Sequence, residues 1–340
     1  MVSLTAVQTH NATLKSLSSG LVAVFVGGTS GIGLYTAREF VRNTKAPHIY
    51  LIGRNQVEAT RIIDELHELN PSSKLNFIKS DVSLLRNVDE VCKEIKEKEN
   101  KVNLLFMTVG YLTLKGRDET EEGLDRKFSL HYYARMRFAQ NLTPLLNSAA
   151  NDMGPNARLA RVVSVLDPQL GLKLVPNFSD LSLKNSFSLK NCGIHASAMN
   201  NFALEHLGNM HSNISFIHAF PSGVNTGAAR GMGQVWLNVL KVATVLLKPF
   251  MVDPTESGER HLFASTAPRF APKAKGDGMD ELATGSDGKS GSGAYFVSWN
   301  GEVFGESKKM ESMRNNGARE KIWEHTEEVF RKICKGKDKY

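Results

Sequence analysis

Three glycines, Gly27, Gly31 and Gly33, follow a hydrophobic run at residues 21–26 and precede a helical pattern at residues 34–41. Glycine lets the backbone turn tightly and approach a ligand, and a helix N-terminus binds anions through its free N–H groups. A strand, this glycine spacing and a helix together predict a loop that holds the pyrophosphate of a dinucleotide. The predicted contacts in this loop are Gly27, Thr29, Ser30, Gly31, Ile32 and Gly33.

A second hydrophobic run, residues 48–52, ends in Gly53, Arg54 and Asn55, about twenty residues after Gly33. A glycine trio alone can mark an ordinary turn, but a second strand at this distance favours the dinucleotide interpretation. An acidic residue here would bind the ribose 2′-hydroxyl, whereas the Arg54 guanidinium can pair with a 2′-phosphate. We therefore predict that Arg54 and Asn55 contact the cofactor and that it is NADP(H) rather than NAD(H). The alternative is that Arg54 is an ordinary surface arginine.

The elements that must position these residues alternate along the chain between apolar runs of strand length and amphipathic helical patterns. This alternation predicts an α/β fold with a doubly wound parallel sheet, Rossmann-like, of about seven strands. Strands are predicted near residues 21–26, 48–53, 74–79, 102–108, 159–165, 214–220 and 294–299. Helices are predicted at residues 56–69, 84–99, around 119–146 and around 192–210. In such a sheet, ligands bind at the C-terminal ends of the strands.

The composition indicates a single domain, since 41% of the 340 residues are hydrophobic and no long low-complexity tract interrupts them. The formal net charge of +7 is spread along the chain without a basic block, so we expect no nucleic-acid partner. Three scattered cysteines are too few for a disulfide framework or a metal site and indicate a reducing compartment. Because residues 1–20 are polar and lack a signal-peptide core, we expect a cytoplasmic protein.

Residues 232–252 are apolar, but Lys241 lies in their middle and other polar residues recur at helical spacing, so no transmembrane span is expected. We predict a helical lid near residues 227–270 that covers a small apolar substrate. Core packing and weak contact with a membrane surface are the alternatives. Within the single domain, residues 20–226 are predicted to form the dinucleotide-binding core, 272–293 an exposed loop, and 294–340 the last strand and a C-terminal helix.

The glycine loop and two later segments resemble the short-chain dehydrogenase/reductase superfamily over about residues 20–300, in particular its retinol-dehydrogenase-like branch and fungal oxidoreductases of secondary metabolism. The family's glycine motif appears here with Val26 in place of its threonine. Residues 81–82 match the pair that flanks the adenine, and residues 221–226 resemble the turn that borders the nicotinamide. The resemblance suggests a homo-oligomer, a dimer or a tetramer. The cofactor contacts that it adds are Asp81, Val82, Gly110, Pro221, Gly223, Val224 and Thr226.

The catalytic part of the family pattern is not matched. The family's tyrosine and lysine, four residues apart on a helix, align with Gly193 and Ser197, and no tyrosine occurs between Tyr133 and Tyr295. In the family this phenol protonates the alkoxide that hydride transfer leaves, and general acid catalysis of this kind contributes about 100- to 10,000-fold. Another group must therefore handle the proton if this chain transfers a hydride.

Two residues stand where the family has polar catalytic side chains: His131 replaces an asparagine, and Asp167 replaces a serine. A histidine exchanges protons near neutral pH, and a buried carboxyl with a raised pKa can do the same. We predict His131 and Asp167 as the catalytic residues; their alternative roles are a packing histidine and a turn-forming aspartate. Tyr111 and Lys115 share the four-residue spacing but lie in a predicted loop, and His195 would point to the opposite side of its helix.

Three functions are compatible with this pattern. The first is an NADP(H)-dependent oxidoreductase that acts on a carbonyl or alcohol of an apolar small molecule in secondary metabolism. The second is a non-redox isomerase, dehydratase or cyclase that uses Asp167 and His131 as an acid/base pair. The third is a non-catalytic partner protein that binds a cofactor or ligand.

Overall fold

A computed structural model describes residues 1–17, 19–152, 159–227, 232, 251–275, 281–305 and 307–340. Its strands are β1 (Val22–Val26), β2 (His48–Gly53), β3 (Lys74–Lys79), β4 (Leu104–Met107), β5 (Arg161–Val165), β6 (Ser215–Ala219) and β7 (Ala294–Val297). They form one parallel sheet in the order β3-β2-β1-β4-β5-β6-β7. All seven predicted strands are present, and the predicted doubly wound α/β fold is confirmed. The strand order reverses between β1 and β4, which defines the topological switch point.

The sheet is buried on both faces, as β1 shows. Val22, Val24 and Val26 pack into one hydrophobic core, and Ala23 and Phe25 pack into the other. Strands covered by helices on both sides are apolar along their whole length, because side chains alternate between two buried faces. This explains why the sequence shows continuous apolar runs here rather than an alternation of polar and apolar residues.

Helices cover both faces of the sheet. Their bounds are α1 (Leu4–Thr13), α2 (Gly31–Asn43), α3 (Gln56–Leu69), α4 (Leu85–Lys98), α5 (Arg126–Phe128), α6 (Ala134–Ala150), α7 (Pro168–Lys173), α8 (Leu189–Met210), α9 (Pro254–Thr266), α10 (Lys308–Asn315) and α11 (Ala318–Phe330). Side chains of α4, α6 and α8 belong to one core, and those of α2, α3 and α9 belong to the other. The helix predicted at residues 56–69 is confirmed, whereas α1 and the short α7 were not predicted, and the C-terminal region contains two helices instead of one.

The long helix predicted around residues 119–146 starts later and is not regular. The Asp125 carboxylate accepts a hydrogen bond from the Phe128 N–H at 2.8 Å and so begins α5, while Glu119 forms a β-bridge with Asp125. A π-turn, Ser129–Tyr133, then separates α5 from α6. Such turns widen a helix locally and often occur at functional sites. The predicted helix start near residue 119 is wrong because Asp125 caps the helix, so the residues before it belong to a loop.

The lid prediction for residues 227–270 is wrong in its C-terminal part. Helix α9 begins after the capping Asp253, and Leu262 and Phe263 on it are buried in the core against α2. A Cβ atom on Gly258 would lie 2.6 Å from the Tyr35 carbonyl, so α9 and α2 are in close contact. Residues 228–231 and 233–250, on which most of the lid prediction falls, lie outside the described residues.

The loop predicted at residues 272–293 is not fully exposed. In its described part, Ala283 and Ser286 are buried, and Thr284 forms a β-bridge with Ser290. Small side chains fit here because the loop folds back on itself beside β7.

Concerning membranes, none of the helices within the described ranges combines the length and the hydropathy that a bilayer crossing requires.

Candidate active site

The glycine loop between β1 and α2 makes the close approaches that a phosphate-binding turn needs. Gly27 has a positive φ of 89°, and a Cβ atom on it would lie 2.9 Å from the Thr108 hydroxyl oxygen. A Cβ atom on Gly33 would lie 2.7 Å from the same oxygen and closer still to the Gly27 carbonyl. Only glycine fits at both positions, and the loop leads directly into the N-terminus of α2 with its free N–H groups.

One cleft of about 820 Å³ collects most of the predicted residues at the C-terminal edge of the sheet. This edge, at the switch point, is where doubly wound sheets bind their ligands. The predicted residues that line the cleft are Gly27, Thr29, Ser30, Gly31, Ile32, Arg54, Asp81, Val82, Gly110, His131, Asp167, Pro221, Gly223, Val224 and Thr226. Gly33 is buried beneath the loop, and the Asn55 side chain caps α3 by accepting a hydrogen bond from the Glu58 N–H at 3.2 Å.

The end of the cleft at β2 carries a guanidinium that an anion can reach. Arg54 is exposed, and no ion pair joins it to another residue of the described ranges. It also borders a neighbouring groove of about 680 Å³, which Lys79 lines as well. Lys79 pairs with Gly53 in the register of β2 and β3, so two cations stand at adjacent strand ends. Sequence reasoning missed Lys79, although its place at the end of the third strand could have indicated it.

Asp81 is held in the wall of the cleft by two contacts. Its carboxylate accepts a hydrogen bond from the Ser83 N–H at 3.1 Å and forms an ion pair with Arg126 at 3.3 Å. Val82 beside it is buried. The pair therefore presents a fixed polar edge next to a small apolar surface, which suits the adenine contact that the family resemblance implies.

His131 lies in the π-turn and faces the opposite end of the cleft. Its ring packs on Gly110: a Cβ atom there would lie 2.5 Å from His131 Nε2. Burial lowers the pKa of His131 well below its usual value, and the charges of Arg135 and Lys127 lower it further. The imidazole is therefore neutral at neutral pH and can donate or accept a hydrogen bond. The expectation that this histidine titrates near neutral pH is wrong, because its burial and two nearby cations disfavour the protonated form.

Asp167 borders the cleft and has the turn-forming role that was its alternative prediction. It lines the cleft, and its carboxylate also caps α7 by accepting a hydrogen bond from the Gln169 N–H at 2.8 Å. Partial burial raises the pKa of Asp167 above its usual value, although the backbone hydrogen bonds and Lys173 oppose this. A carboxyl with a raised pKa can hold a proton closer to neutral pH than a solvated one.

Helix α7 occupies the space beside the positions where the family has tyrosine and lysine. Ser197 on α8 donates a hydrogen bond to the Asp167 carbonyl and accepts one from the Gly171 N–H at 2.7 Å. A Cβ atom on Gly171 would lie 2.7 Å from Ala198 Cα, so α7 and α8 are in close contact. Neither Gly193 nor Ser197 lines the cleft. The unmatched tyrosine and lysine are thus replaced by a structural contact between two helices.

A buried polar network lies beneath this end of the cleft, and sequence reasoning missed it. Arg135 on α6 donates to the Ser164 hydroxyl at 2.9 Å, and Ser164 donates to Asn200 Oδ1 at 2.9 Å. The Asn200 amide donates in turn to the His131 carbonyl at 2.8 Å. The only signal in the sequence is that Arg135 follows His131 by four residues and so shares its helix face.

The remaining candidates divide into two groups. Tyr111 and Lys115, which sequence reasoning set aside, do line the cleft. His195 does not: in a buried position, its Nε2 accepts from the Asn177 N–H at 2.8 Å and its Nδ1 contacts the Leu181 carbonyl. The structure therefore supports the exclusion of His195.

Part of the cleft wall is apolar. The apolar side chains that line the cleft together with His131 and Asp167 are Leu112, Leu130, Leu166, Phe187 and Phe220.

Comparison with known proteins agrees with this geometry. The family model described as short chain dehydrogenase matches residues 21–165. The chain is 40% identical over 338 residues to Oxidoreductase AN1596 of Emericella nidulans, covering 97% of this chain and 98% of that protein. It is 34% identical over 345 residues to Oxidoreductase andH of Emericella variicolor, covering 98% of each.

Solved structures share the fold. L-Sorbose reductase from Gluconobacter frateurii, in a complex with NADPH and L-sorbose, superposes with a TM-score of 0.55 at 18% identity over 85% of this chain and 98% of that one. With relatives that match along almost its whole length, the chain belongs to the short-chain dehydrogenase/reductase superfamily of oxidoreductases.

Proposed function

We propose that the protein is an NADP(H)-dependent oxidoreductase that reduces or oxidises a carbonyl or alcohol group of an apolar small molecule. One observation carries the proposal: a single cleft joins the glycine loop and Arg54 at one end to His131, Asp167 and an apolar wall at the other. The relatives AN1596 and andH are oxidoreductases, which supports a redox reaction, and a substrate from secondary metabolism is the prediction from the family resemblance. A cytoplasmic location and a homo-oligomeric state remain predictions.

The residues present fit NADP(H). Gly27 and Gly33 leave room that any side chain would fill, and the adjacent N-terminus of α2 attracts the pyrophosphate. Arg54 and Lys79 place two positive charges where a 2′-phosphate would lie at the ends of β2 and β3. When bound, NADPH supplies a hydride and NADP⁺ accepts one.

Asp167 is the residue best suited to handle the proton in place of the unmatched tyrosine. In the reductive direction the carbonyl carbon accepts the hydride, and protonated Asp167 gives its proton to the resulting alkoxide oxygen. Neutral His131 donates a hydrogen bond that orients the same oxygen, which a neutral imidazole can do without a net charge. A bound apolar substrate would displace water from the apolar wall and so strengthen both interactions.

Deuterium transfer tests the proposed function. The purified protein is incubated with NADPH deuterated at C4 of the nicotinamide, as each of the two stereoisomers, and with a panel of hydrophobic ketones and aldehydes. We expect deuterium from one stereoisomer to appear at the carbinol carbon of the product. Turnover without label would establish a non-redox isomerase, dehydratase or cyclase, and binding without any turnover would favour the non-catalytic partner.

Replacing Arg54 with aspartate should weaken NADPH binding about 100-fold. The change removes a charge-assisted pairing, which contributes about 1.5 to 3 kcal/mol, and adds repulsion of the phosphate. Calorimetric titration with NADPH and NADH measures the effect, and NADH binding should change little because it lacks the 2′-phosphate. Arg331→Asp, at an exposed arginine outside the cleft, is the charge-matched control. Equal NADPH affinity in Arg54→Asp and wild type would show that Arg54 is a surface residue.

Asp167→Asn and His131→Leu should each lower turnover at least tenfold while the fold stays intact. Asparagine also caps helices, so α7 keeps its N-terminal hydrogen bond, and leucine fills the buried histidine site. Because protonated Asp167 is the reactive form, the wild-type reduction rate should fall as the pH rises through its raised pKa, and Asp167→Asn should lose that dependence. Asp64→Asn, on an exposed face of α3, is the control. Wild-type turnover in both variants would show that neither Asp167 nor His131 takes part in catalysis.

A further inference from the structure

A buried positive charge without a counter-charge lies beneath the cleft. The Arg135 side chain is 1% exposed and contacts the cleft from α6. Its hydrogen-bond acceptors are all neutral: the Ser164 hydroxyl at 2.9 Å and the carbonyls of Val165 at 2.8 Å, Val109 at 2.7 Å and Leu130 at 3.1 Å. In the part of the chain that the structure describes, no carboxylate forms an ion pair with it. The charge of Arg135 is therefore held rigidly and is not neutralised.

The positive charge of Arg135 affects the pKa of nearby titratable side chains. Arg135 contributes to the lowered pKa of two buried histidines, His131 and His218. A buried charge is costly unless it is paired, and neutral carbonyls offset only part of that cost. In a site of low dielectric constant, the uncompensated charge acts strongly on any group whose own charge changes nearby.

The hydrogen bonds of Arg135 locate it at one end of the cleft. Val109 lies two residues after the end of β4, and Val165 is the last residue of β5. Arg54 lies on the other side of the switch point, at the end of β2. A dinucleotide that places its adenosine half over β2 and β3 extends its nicotinamide half toward β4 and β5. Arg135 is therefore the fixed cation of the nicotinamide end.

We infer that Arg135 makes the site bind the reduced cofactor more tightly than the oxidised one. The inference rests on the proposed function. In that reaction the substrate carbonyl carbon gains a hydride with its electron pair, its oxygen gains a proton, and the nicotinamide ring changes from neutral to positively charged. A fixed cation repels the charged ring and not the neutral one. It therefore weakens binding of NADP⁺, favours its release, and stabilises the negative charge that develops on the substrate oxygen.

The chain provides a matched control for this role. Arg161 is a second buried arginine whose guanidinium donates to the carbonyls of Ala264, Ala267 and Phe270. It begins β5, at the opposite end of the strand from Val165, and does not line the cleft. A variant at Arg161 removes the same kind of buried cation and its carbonyl contacts, but at a distance from the bound ligand.

The test is the ratio of the dissociation constants for NADP⁺ and NADPH, measured by calorimetry on the wild-type protein and on Arg135→Met, Arg135→Gln, Arg135→Lys and Arg161→Met. We expect a wild-type ratio of at least about 10, equivalent to about 1.4 kcal/mol. Arg135→Met and Arg135→Gln should lower the ratio about tenfold, whereas Arg135→Lys should keep most of it because the charge remains. Arg161→Met should leave the ratio unchanged even if the protein is less stable.

Two results would overturn the inference. One is a wild-type ratio of the NADP⁺ and NADPH dissociation constants near 1. This result does not depend on whether any variant folds. The other is a neutral Arg135 variant in which both affinities change by the same factor, as a purely structural role predicts. Failure here is distinct from failure of the proposed function: a protein that transfers deuterium but binds both cofactor forms equally keeps its function and loses only this inference. A protein that binds neither nucleotide contradicts the proposed function itself.

Discussion

Replacing Gly33 with alanine should weaken NADPH binding more than 100-fold and lower the free energy of unfolding by about 1 to 3 kcal/mol. The new Cβ atom would lie 2.7 Å from the Thr108 hydroxyl and closer still to the Gly27 carbonyl, both inside van der Waals contact. Because one of these atoms belongs to the backbone, a side-chain rotation cannot relieve the clash. Helix α2 must move away from the loop, and its N-terminus then no longer points its N–H groups at the pyrophosphate.

Calorimetric titration with NADPH, at a temperature below the melting point of the variant, separates binding from stability. Gly305→Ala is the matched control, because no heavy atom lies within 4 Å of the Cβ position at Gly305. The control should bind NADPH like the wild type and unfold at a similar temperature. NADPH affinity within threefold of wild type in Gly33→Ala would show that the close packing of α2 on the loop does not matter for the cofactor.

Acidification from pH 7 to pH 5 should destabilise the protein, with about 2 kcal/mol of the loss coming from His261 alone. His261 is 3% exposed, and burial lowers its pKa from 6.5 to about 4. The unfolded chain therefore binds a proton near pH 6.5, whereas the native state binds it only near pH 4. The stability is complete above pH 6.5 and falls as the pH falls between these two values. His10 and His325, whose pKa values burial also lowers to about 4, add losses of the same sign.

Urea unfolding at pH 7 and pH 5 measures this effect through the difference between the two free energies of unfolding. In His261→Gln, which can still donate a hydrogen bond to the Ser257 carbonyl that His261 Nδ1 contacts at 2.7 Å, the difference should shrink by about 2 kcal/mol. His67→Gln changes an exposed histidine on α3 and should leave the difference unchanged. An unaltered pH dependence in His261→Gln would mean that acid acts through other groups.

The cofactor half of the site was predictable because its signals are local in sequence. The glycine spacing, the strand that ends in Arg54 and the pair Asp81 and Val82 each depend on a few adjacent residues. Helix α3 was predicted correctly for the same reason: its apolar residues recur at helical spacing, and Asn55 caps its first turn. The structure places all of these elements along one edge of the sheet.

The catalytic half depends on contacts between distant residues, which no local pattern reveals. The protonation state of His131 follows from burial and from Arg135, and the position of Asp167 follows from the cap of a six-residue helix. The lid prediction failed at α9 for a related reason, since its apolar face is satisfied by α2 rather than by a substrate. The sequence of a helix shows that its apolar face must be buried, but not which surface buries it.

The contact between α7 and α8 has a consequence for any attempt to install the chemistry that is usual in this family. A tyrosine at position 193 and a lysine at position 197 would restore the residue types but not the site. The lysine would have to displace the Gly171 N–H and the Asp167 carbonyl, which Ser197 now holds, and the tyrosine would meet Leu170. A protein engineer would therefore have to rebuild residues 167–173 first. Helix α7 and positions 193 and 197 form one packed unit, so point mutation at these two positions alone would not create the tyrosine and lysine site of the family.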